Sequence, residues 1–327
     1  MDFGVLGRWV GRGSIALAAA AVPAGAQDEA AAIRRELHER VAALEKQVAA
    51  LPSKLTQDRD GVHALALLAL PGDMALRMER GGREWDVDEL ASELRRGEAL
   101  AAALERGEIP RAPGPRRRVH RLASTGELVP YSLYVPKSLP SDGPAPLLVA
   151  LHGLGAGDES FFAYGAGTLA REVERRGWLV VAPLGWRKDS FYRGPGEEDV
   201  LAVMDEATKE FRVDPTSVWL IGHSMGGFGT LRIAANHPER FAAIAPISGG
   251  GPAAWLEPLR DVPALLVHGD ADRLVPVDAS RTLFELARSK GMPWEFLELP
   301  GANHVNVVAQ SLPRVLDFLD RHRKPRR

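Results

Sequence analysis

Asp214-Pro215-Thr216-Ser217-Val218-Trp219-Leu220-Ile221-Gly222-His223-Ser224-Met225-Gly226-Gly227 decides the fold. Residues 217–221 carry an apolar run that predicts a buried strand. The run leads straight into G-x-S-x-G at 222–226, and residues 225–236 then read as a helix. Strand, sharp turn and helix are the context in which this pentapeptide forms a nucleophile elbow. The reason is steric. A turn this tight leaves no room for side chains on either flank, hence Gly222 and Gly226, and it pushes the Ser224 hydroxyl out over the end of the sheet. Gly227 and Gly229 let the helix pack close.

Outward from the elbow, short apolar runs alternate with longer segments of helical period. Toward the N-terminus, residues 119–122 and 131–135 predict a leading hairpin. Residues 147–151 predict a buried strand, 169–176 a helix, 178–182 a strand and 199–211 a helix. Toward the C-terminus come strands at 242–247, 264–267 and 294–299, and helices at 278–290 and 305–321. Such βαβ alternation implies an α/β fold, a mostly parallel sheet with helices on both faces. Functional loops in such sheets sit at the carboxyl ends of the strands.

A serine hydroxyl needs a base to take its proton. In strand–elbow–helix hydrolases the chain order is Ser, then Asp or Glu, then His. His304, in Gly301-Ala302-Asn303-His304 between the last strand and the last helix, satisfies that order. His152 and His223 precede the acid, His268 ends a strand, His237 sits in a helix-terminal turn, His120 in the leading strand and His322 in the tail. The acid comes from Asp270-Ala271-Asp272, just past the 264–267 strand. Asp272, deeper in the loop, is the choice to orient the imidazole, and Asp270 braces the loop. Two N–H donors are expected for the oxyanion: Met225 at the elbow, and Leu154 in His152-Gly153-Leu154-Gly155 after the 147–151 strand. A dinucleotide loop is excluded there, because Asp158 stands where G-x-G-x-x-G needs glycine. Trp186, Tyr192 and Trp255 lie at the catalytic end and are candidates for substrate binding. The segment 194–199 reads as a turn and helix cap.

From about residue 119 to 321 the chain resembles the α/β-hydrolase superfamily. Within it, the chain is similar to the polyhydroxybutyrate-depolymerase and feruloyl-esterase-like group and to the catalytic domain of prolyl-oligopeptidase-type peptidases. The carrying residues are H-G-L-G at 152–155, D-P-T-S-V-W-L-I-G-H-S-M-G-G at 214–227 and H-G-D-A-D-R-L-V-P at 268–276. The resemblance implies a serine hydrolase that cleaves a carboxylic ester through an acyl-enzyme. Ser224, Asp272 and His304 would be its triad, with no metal or other cofactor. Its partner would be a small-molecule ester or short acyl substrate. A peptidase of the prolyl-oligopeptidase type is the alternative, and the segment before residue 110 is too short for the β-propeller such enzymes carry. A non-catalytic envelope binding protein on a hydrolase scaffold is the third reading, against which the complete triad argues.

Composition bounds the rest. The 327 residues are 45% hydrophobic and 26% charged, which supports a buried core. A net charge of −2 supplies no field for nucleic acid, and the absence of cysteine excludes thiolate chemistry and disulfides. Arg8 and Arg12 precede an apolar stretch at 15–22 and then Ala24-Gly25-Ala26, the pattern of a signal peptide (1–26) cleaved after Ala26, and hence of a periplasmic or secreted protein. The stretch is too short to span a bilayer, which takes roughly 20 residues, so no stable membrane insertion is expected. Residues 27–109 predict a helical module: Ile33, Leu37, Val41, Leu44, Val48 and Leu51 recur at helical spacing. Residues 62–70 predict a buried helix stopped by Pro71-Gly72, and a further helix runs from Asp86 or Asp88 toward Arg106, divided at Gly97. Residues 110–118, P-R-A-P-G-P-R-R-R, predict a stiff solvated linker, and the basic residues after 321 a tail. The oligomeric state is not encoded in any pattern.

Overall fold

Two kinds of hydrophobic period, helical before residue 110 and short apolar runs after it, build two units: Met1–Ile109 and Pro110–Arg327. The computed structural model describes residues 24–57, 59–80, 86–109, 114–139 and 143–325. Most of the expected signal peptide, residues 1–23, and residues 110–113 of the expected linker lie outside them.

The first unit holds helices α1 (Ala24–Ala49), α2 (Arg59–Leu68), α3 (Leu70–Glu79) and α4 (Asp86–Glu105). The expected cleavage point after Ala26 falls in the first turn of α1. Leu37, Val41 and Leu44 of α1 are buried, as are Leu90, Leu94 and Leu104 of α4. Two expectations are corrected. Pro71-Gly72 does not stop a helix but opens one: Pro71 lies in the first turn of α3, where its missing N–H costs nothing. Gly97 does not divide α4. A Cβ at Gly97 would lie 2.8 Å from Leu44 Cδ2, so the glycine serves the close approach of α4 to α1. No helix among the described residues is long and apolar enough to cross a membrane.

The second unit is one eight-stranded sheet: β1 (Pro115–Arg121), β2 (Leu128–Tyr134), β3 (Ala145–Leu151), β4 (Leu179–Pro183), β5 (Val213–His223), β6 (Ala243–Ile247), β7 (Ala264–Gly269) and β8 (Trp294–Leu299). Their spatial order is β1-β2-β4-β3-β5-β6-β7-β8. The leading hairpin β1–β2 pairs antiparallel and β2 pairs antiparallel with β4, while β4, β3 and β5 through β8 run parallel. Helices α5 (Ser160–Ala163), α6 (Thr168–Arg176), α7 (Pro195–Glu210), α8 (Met225–Asn236), α9 (Asp278–Ser289) and α10 (Asn306–Arg321) connect them. Residues of α7, α8 and α9 pack in one core with one side of the sheet, and residues of α6 and α10 in a second core with the other. Both faces of the parallel strands are therefore buried, which is why they read as continuous apolar runs.

The linker expectation is corrected at its C-terminal half. Pro115 already pairs with Tyr134, so Arg116, Arg117 and Arg118 belong to β1. Neighbours on a strand face opposite ways. Arg117 reaches Asp158 at 3.1 Å, in the segment after β3. Arg118, 4% exposed, is ion-paired with Glu210 of α7. Arg117 and Arg118 read as solvated because their partners lie far along the chain.

Register positions the functional loops. Leu151 of β3 pairs with Gly222 of β5, and Gly222 pairs with Pro246 of β6. The loop at 152–155, the elbow and the loop after β6 thus leave the sheet at one level.

Candidate active site

The elbow is built as its glycines require. Ser224 sits at φ 57°, ψ −117°, a conformation that non-glycine residues rarely hold. Its N–H donates to Ile247 O of β6 at 2.9 Å, and its C=O accepts from Phe228 N at 3.1 Å. A Cβ at Gly222 would lie 2.1 Å from Gly226 O, and one at Gly226 2.0 Å from Leu151 O, so neither position admits a side chain. Strain at Ser224 is held by its surroundings, as is common for reactive residues.

Asp272 follows β7 and is closed off from solvent at its carboxylate. Its Oδ2 accepts from His304 Nδ1 at 2.7 Å, and its Oδ1 accepts from the N–H groups of Leu274 and Val275, each at 2.9 Å. Burial alone would raise this carboxyl, but the bonds from His304, Val275 and Leu274 outweigh it and hold it below its ordinary value. Asp270 braces the same loops: Gly301 N donates to its Oδ1 at 2.6 Å. The His304 turn is fixed from the other side by Asn303, whose Oδ1 accepts from Val305 N and Asn306 N at 3.0 Å where α10 begins.

His223 joins this pair to the elbow. Its ring lies 4.7 Å from the His304 ring, its Nε2–H donates to His304 O at 2.7 Å, and Tyr164 O–H donates to its Nδ1 at 3.1 Å. Burial, reinforced by the neighbouring His304, pushes His223 down to about 4, so at neutral pH it stays uncharged beside the His304 ring. Among the described residues Ser224 Oγ makes no hydrogen bond. Such bonds are often absent before substrate binds.

Gly153 packs against the elbow: a Cβ there would lie 3.4 Å from Ser224 Cβ. The Leu154 N–H has no acceptor among the described residues, whereas Gly155 N donates to Lys188 O at 2.9 Å. Met225 opens α8, where a helix N–H has no partner within the helix. Met225 thus follows Ser224 directly, and Leu154 follows the glycine that packs against it.

The three aromatic candidates differ. Trp186 and Trp255 are partly exposed. Tyr192 is corrected: it is 0% exposed, and its hydroxyl donates to His152 O at 3.1 Å. It supports the 152–155 loop from within the core and presents no surface at the site. Segment 194–199 is also more than a cap. Asp199 is fully buried and accepts from Gly185 N, Trp186 N and His120 Nε2. An acidic residue in an E-E-D-V run carried no sequence signal for this role.

Residues 201–283, which include Ser224 and Asp272, match the family model Esterase, described as "Putative esterase". A Nocardia uniformis subsp. tsuyamanensis protein named "Putative esterase NocK" is 35% identical over 147 residues, 42% of this chain and 43% of that protein. Dipeptidyl-peptidase 5 of Porphyromonas gingivalis is 26% identical over 183 residues, 41% of this chain and 27% of that protein. The chain thus spans less than half the length of these curated relatives. A solved thermostable esterase superposes with a TM-score of 0.55 at 24% identity, over 64% of this chain and 63% of its own, a likeness of fold. The strand order and the elbow between β5 and α8 give the chain the α/β-hydrolase fold, the fold of the esterases to which it is similar.

Proposed function

We propose that the chain is a carboxylesterase working through a Ser224–His304–Asp272 triad. The single observation that carries this is the 2.7 Å bond from His304 Nδ1 to buried Asp272, with His223, the residue before the strained elbow serine, bonded to His304 O. With Nδ1–H committed to Asp272, His304 Nε2 is free to take the Ser224 proton. Ser224 Oγ then attacks the acyl carbonyl, and the oxyanion is received by the N–H groups of Leu154 and Met225. His304 returns the proton to the departing alcohol. Water, deprotonated by the same imidazole, hydrolyses the acyl-enzyme.

The rim of the site supports a small apolar acyl group. In the second unit the large hydrophobic side chains most exposed among the described residues are Leu154, Leu274 and Val305. Each lies at the site: Leu154 in the oxyanion loop, Leu274 bonded to Asp272, Val305 beside His304. Trp186 and Trp255 supply partly exposed aromatic surface at the same end of the sheet. Export through residues 1–26 belongs to the same proposal, on the charge and small-residue pattern of that segment.

The test is a p-nitrophenyl ester series from acetate to decanoate, with a feruloyl ester, assayed on wild type and Ser224→Ala. Turnover by wild type and none by the variant is expected. A folded wild type inactive on every member rules out simple esterase activity. The relation to a dipeptidyl-peptidase favours a second reading, cleavage of short peptides. Amide analogues turned over as fast as the esters would establish it.

A further inference from the structure

We propose that Asp199, paired with His120, is a positioning residue for the oxyanion loop, acting through residues 184–192. The inference rests on the acyl-transfer reading above. Residues 184–192 leave the carboxyl end of β4 in a conformation their side chains resist. Gly185, Trp186, Phe191 and Tyr192 have φ of 74°, 66°, 51° and 52°. Three of these are not glycine, and L-residues hold the left-handed region only where their surroundings over-determine it.

Asp199, in the second turn of α7, supplies that constraint at the start of the segment. Its Oδ2 accepts from Gly185 N at 2.6 Å and from Trp186 N at 3.0 Å, and its Oδ1 accepts from His120 Nε2 at 2.5 Å. Asp199 is 0% exposed, so water cannot replace a lost partner. His120 comes from β1, so the carboxylate links the edge hairpin, α7 and the segment after β4. A second anchor is Trp186 Nε1–H, which donates to Glu127; Arg187 lies 3.6 Å from the same carboxylate.

What the segment holds in turn is the oxyanion loop. Leu184 O lies 2.7 Å from His152 Nε2, Lys188 O accepts from Gly155 N at 2.9 Å, and Tyr192 O–H donates to His152 O at 3.1 Å. These three bonds bracket Gly153 and Leu154 on both sides. The Leu154 N–H, left without an acceptor, is therefore aimed by a segment that Asp199 fixes. An oxyanion donor stabilises the tetrahedral state more than the planar ester. A loosened loop should thus lower kcat while leaving KM in place.

The test compares wild type, Asp199→Asn and His120→Gln. Three quantities are measured: KM and kcat on the best p-nitrophenyl ester, inhibition by an alkylboronic acid that forms a tetrahedral adduct on Ser224, and active-site titration with a fluorophosphonate. Loss of one oxyanion donor costs about 10²–10³-fold in kcat, so a misaimed one should cost about 10–10²-fold in Asp199→Asn, and less in His120→Gln. KM should hold, and boronate affinity should weaken in step with kcat. Equal kcat and boronate affinity in the folded variants overturns the proposal. So does a loss confined to KM, or a loss of activity matched by the fraction of sites that titrate. If Asp199→Asn fails to fold, the same criteria on His120→Gln decide. A wild type that never reacts with the fluorophosphonate sinks the triad reading itself, which distinguishes the two failures.

Discussion

Asp272 and His223 show how single side chains tune this site. Asp272 gathers three N–H donors on a carboxylate closed to water, so its charge is stabilised by fixed partners. Asp272→Asn keeps the shape but reverses the bond demanded of His304 Nδ1. If the role matches the triad template, kcat should fall by up to about 10⁴-fold with KM little changed. The same groups govern acid stability. Asp272 is held below its ordinary value, so the stability it contributes is present above the ordinary carboxylate range and is lost as pH falls through its folded value. His223 behaves the same way at higher pH. Its folded value is about 4 against an ordinary 6.5, so the unfolded chain takes up the proton first. Its contribution is whole above 6.5 and declines by roughly 3 kcal/mol as pH falls to about 4. His152 and His268, both lowered by burial, add to the slope. Urea midpoints measured from neutral pH down to 4 should fall steadily in wild type, and the slope should be shallower in His223→Gln. An unchanged slope in that variant would remove His223 from this account.

At the scale of elements, the parallel strands declared themselves because a strand buried on both faces is apolar throughout. The elbow was legible for a related reason: Gly222 and Gly226 are glycine because backbone carbonyls occupy the space of a Cβ. Gly226→Ala should therefore cost stability at or beyond the upper end of the ~1–3 kcal/mol typical of overpacking, read from the denaturation midpoint. What stayed hidden was long-range pairing of polar groups. Arg118 reads as part of a basic linker until Glu210 of α7 is seen beside it. Breaking that buried pair from one side leaves an uncompensated charge, so Arg118→Ala should destabilise by about 3–5 kcal/mol. A loss of only a few tenths would return the arginines to solvent. Tyr192 misled for the converse reason. An aromatic residue at the catalytic end of a sheet reads as substrate surface, and nothing local reveals that it is fully buried beneath the oxyanion loop. Asp199 was opaque likewise, since its partners are two backbone N–H groups and a histidine 79 residues away.

At the scale of the molecule, two units with separate cores divide the chain. Every residue proposed for catalysis, from Leu154 to His304, lies in the second. That unit has its own eight-stranded sheet with both faces covered, which is what independent folding requires. A chain beginning at residue 110 should fold cooperatively and retain ester turnover. A truncated chain that folds yet is inactive would assign the helical unit a part in catalysis.

The central claim is that Ser224 is the nucleophile, activated by His304 on Asp272. Intact-mass measurement after incubation with a fluorophosphonate tests it most directly, on wild type and Ser224→Ala. The account predicts one adduct on wild type, mapped to the peptide carrying Gly222-His223-Ser224-Met225-Gly226, and none on the variant. A folded wild type that takes up no adduct, or an adduct that persists in Ser224→Ala, would contradict it.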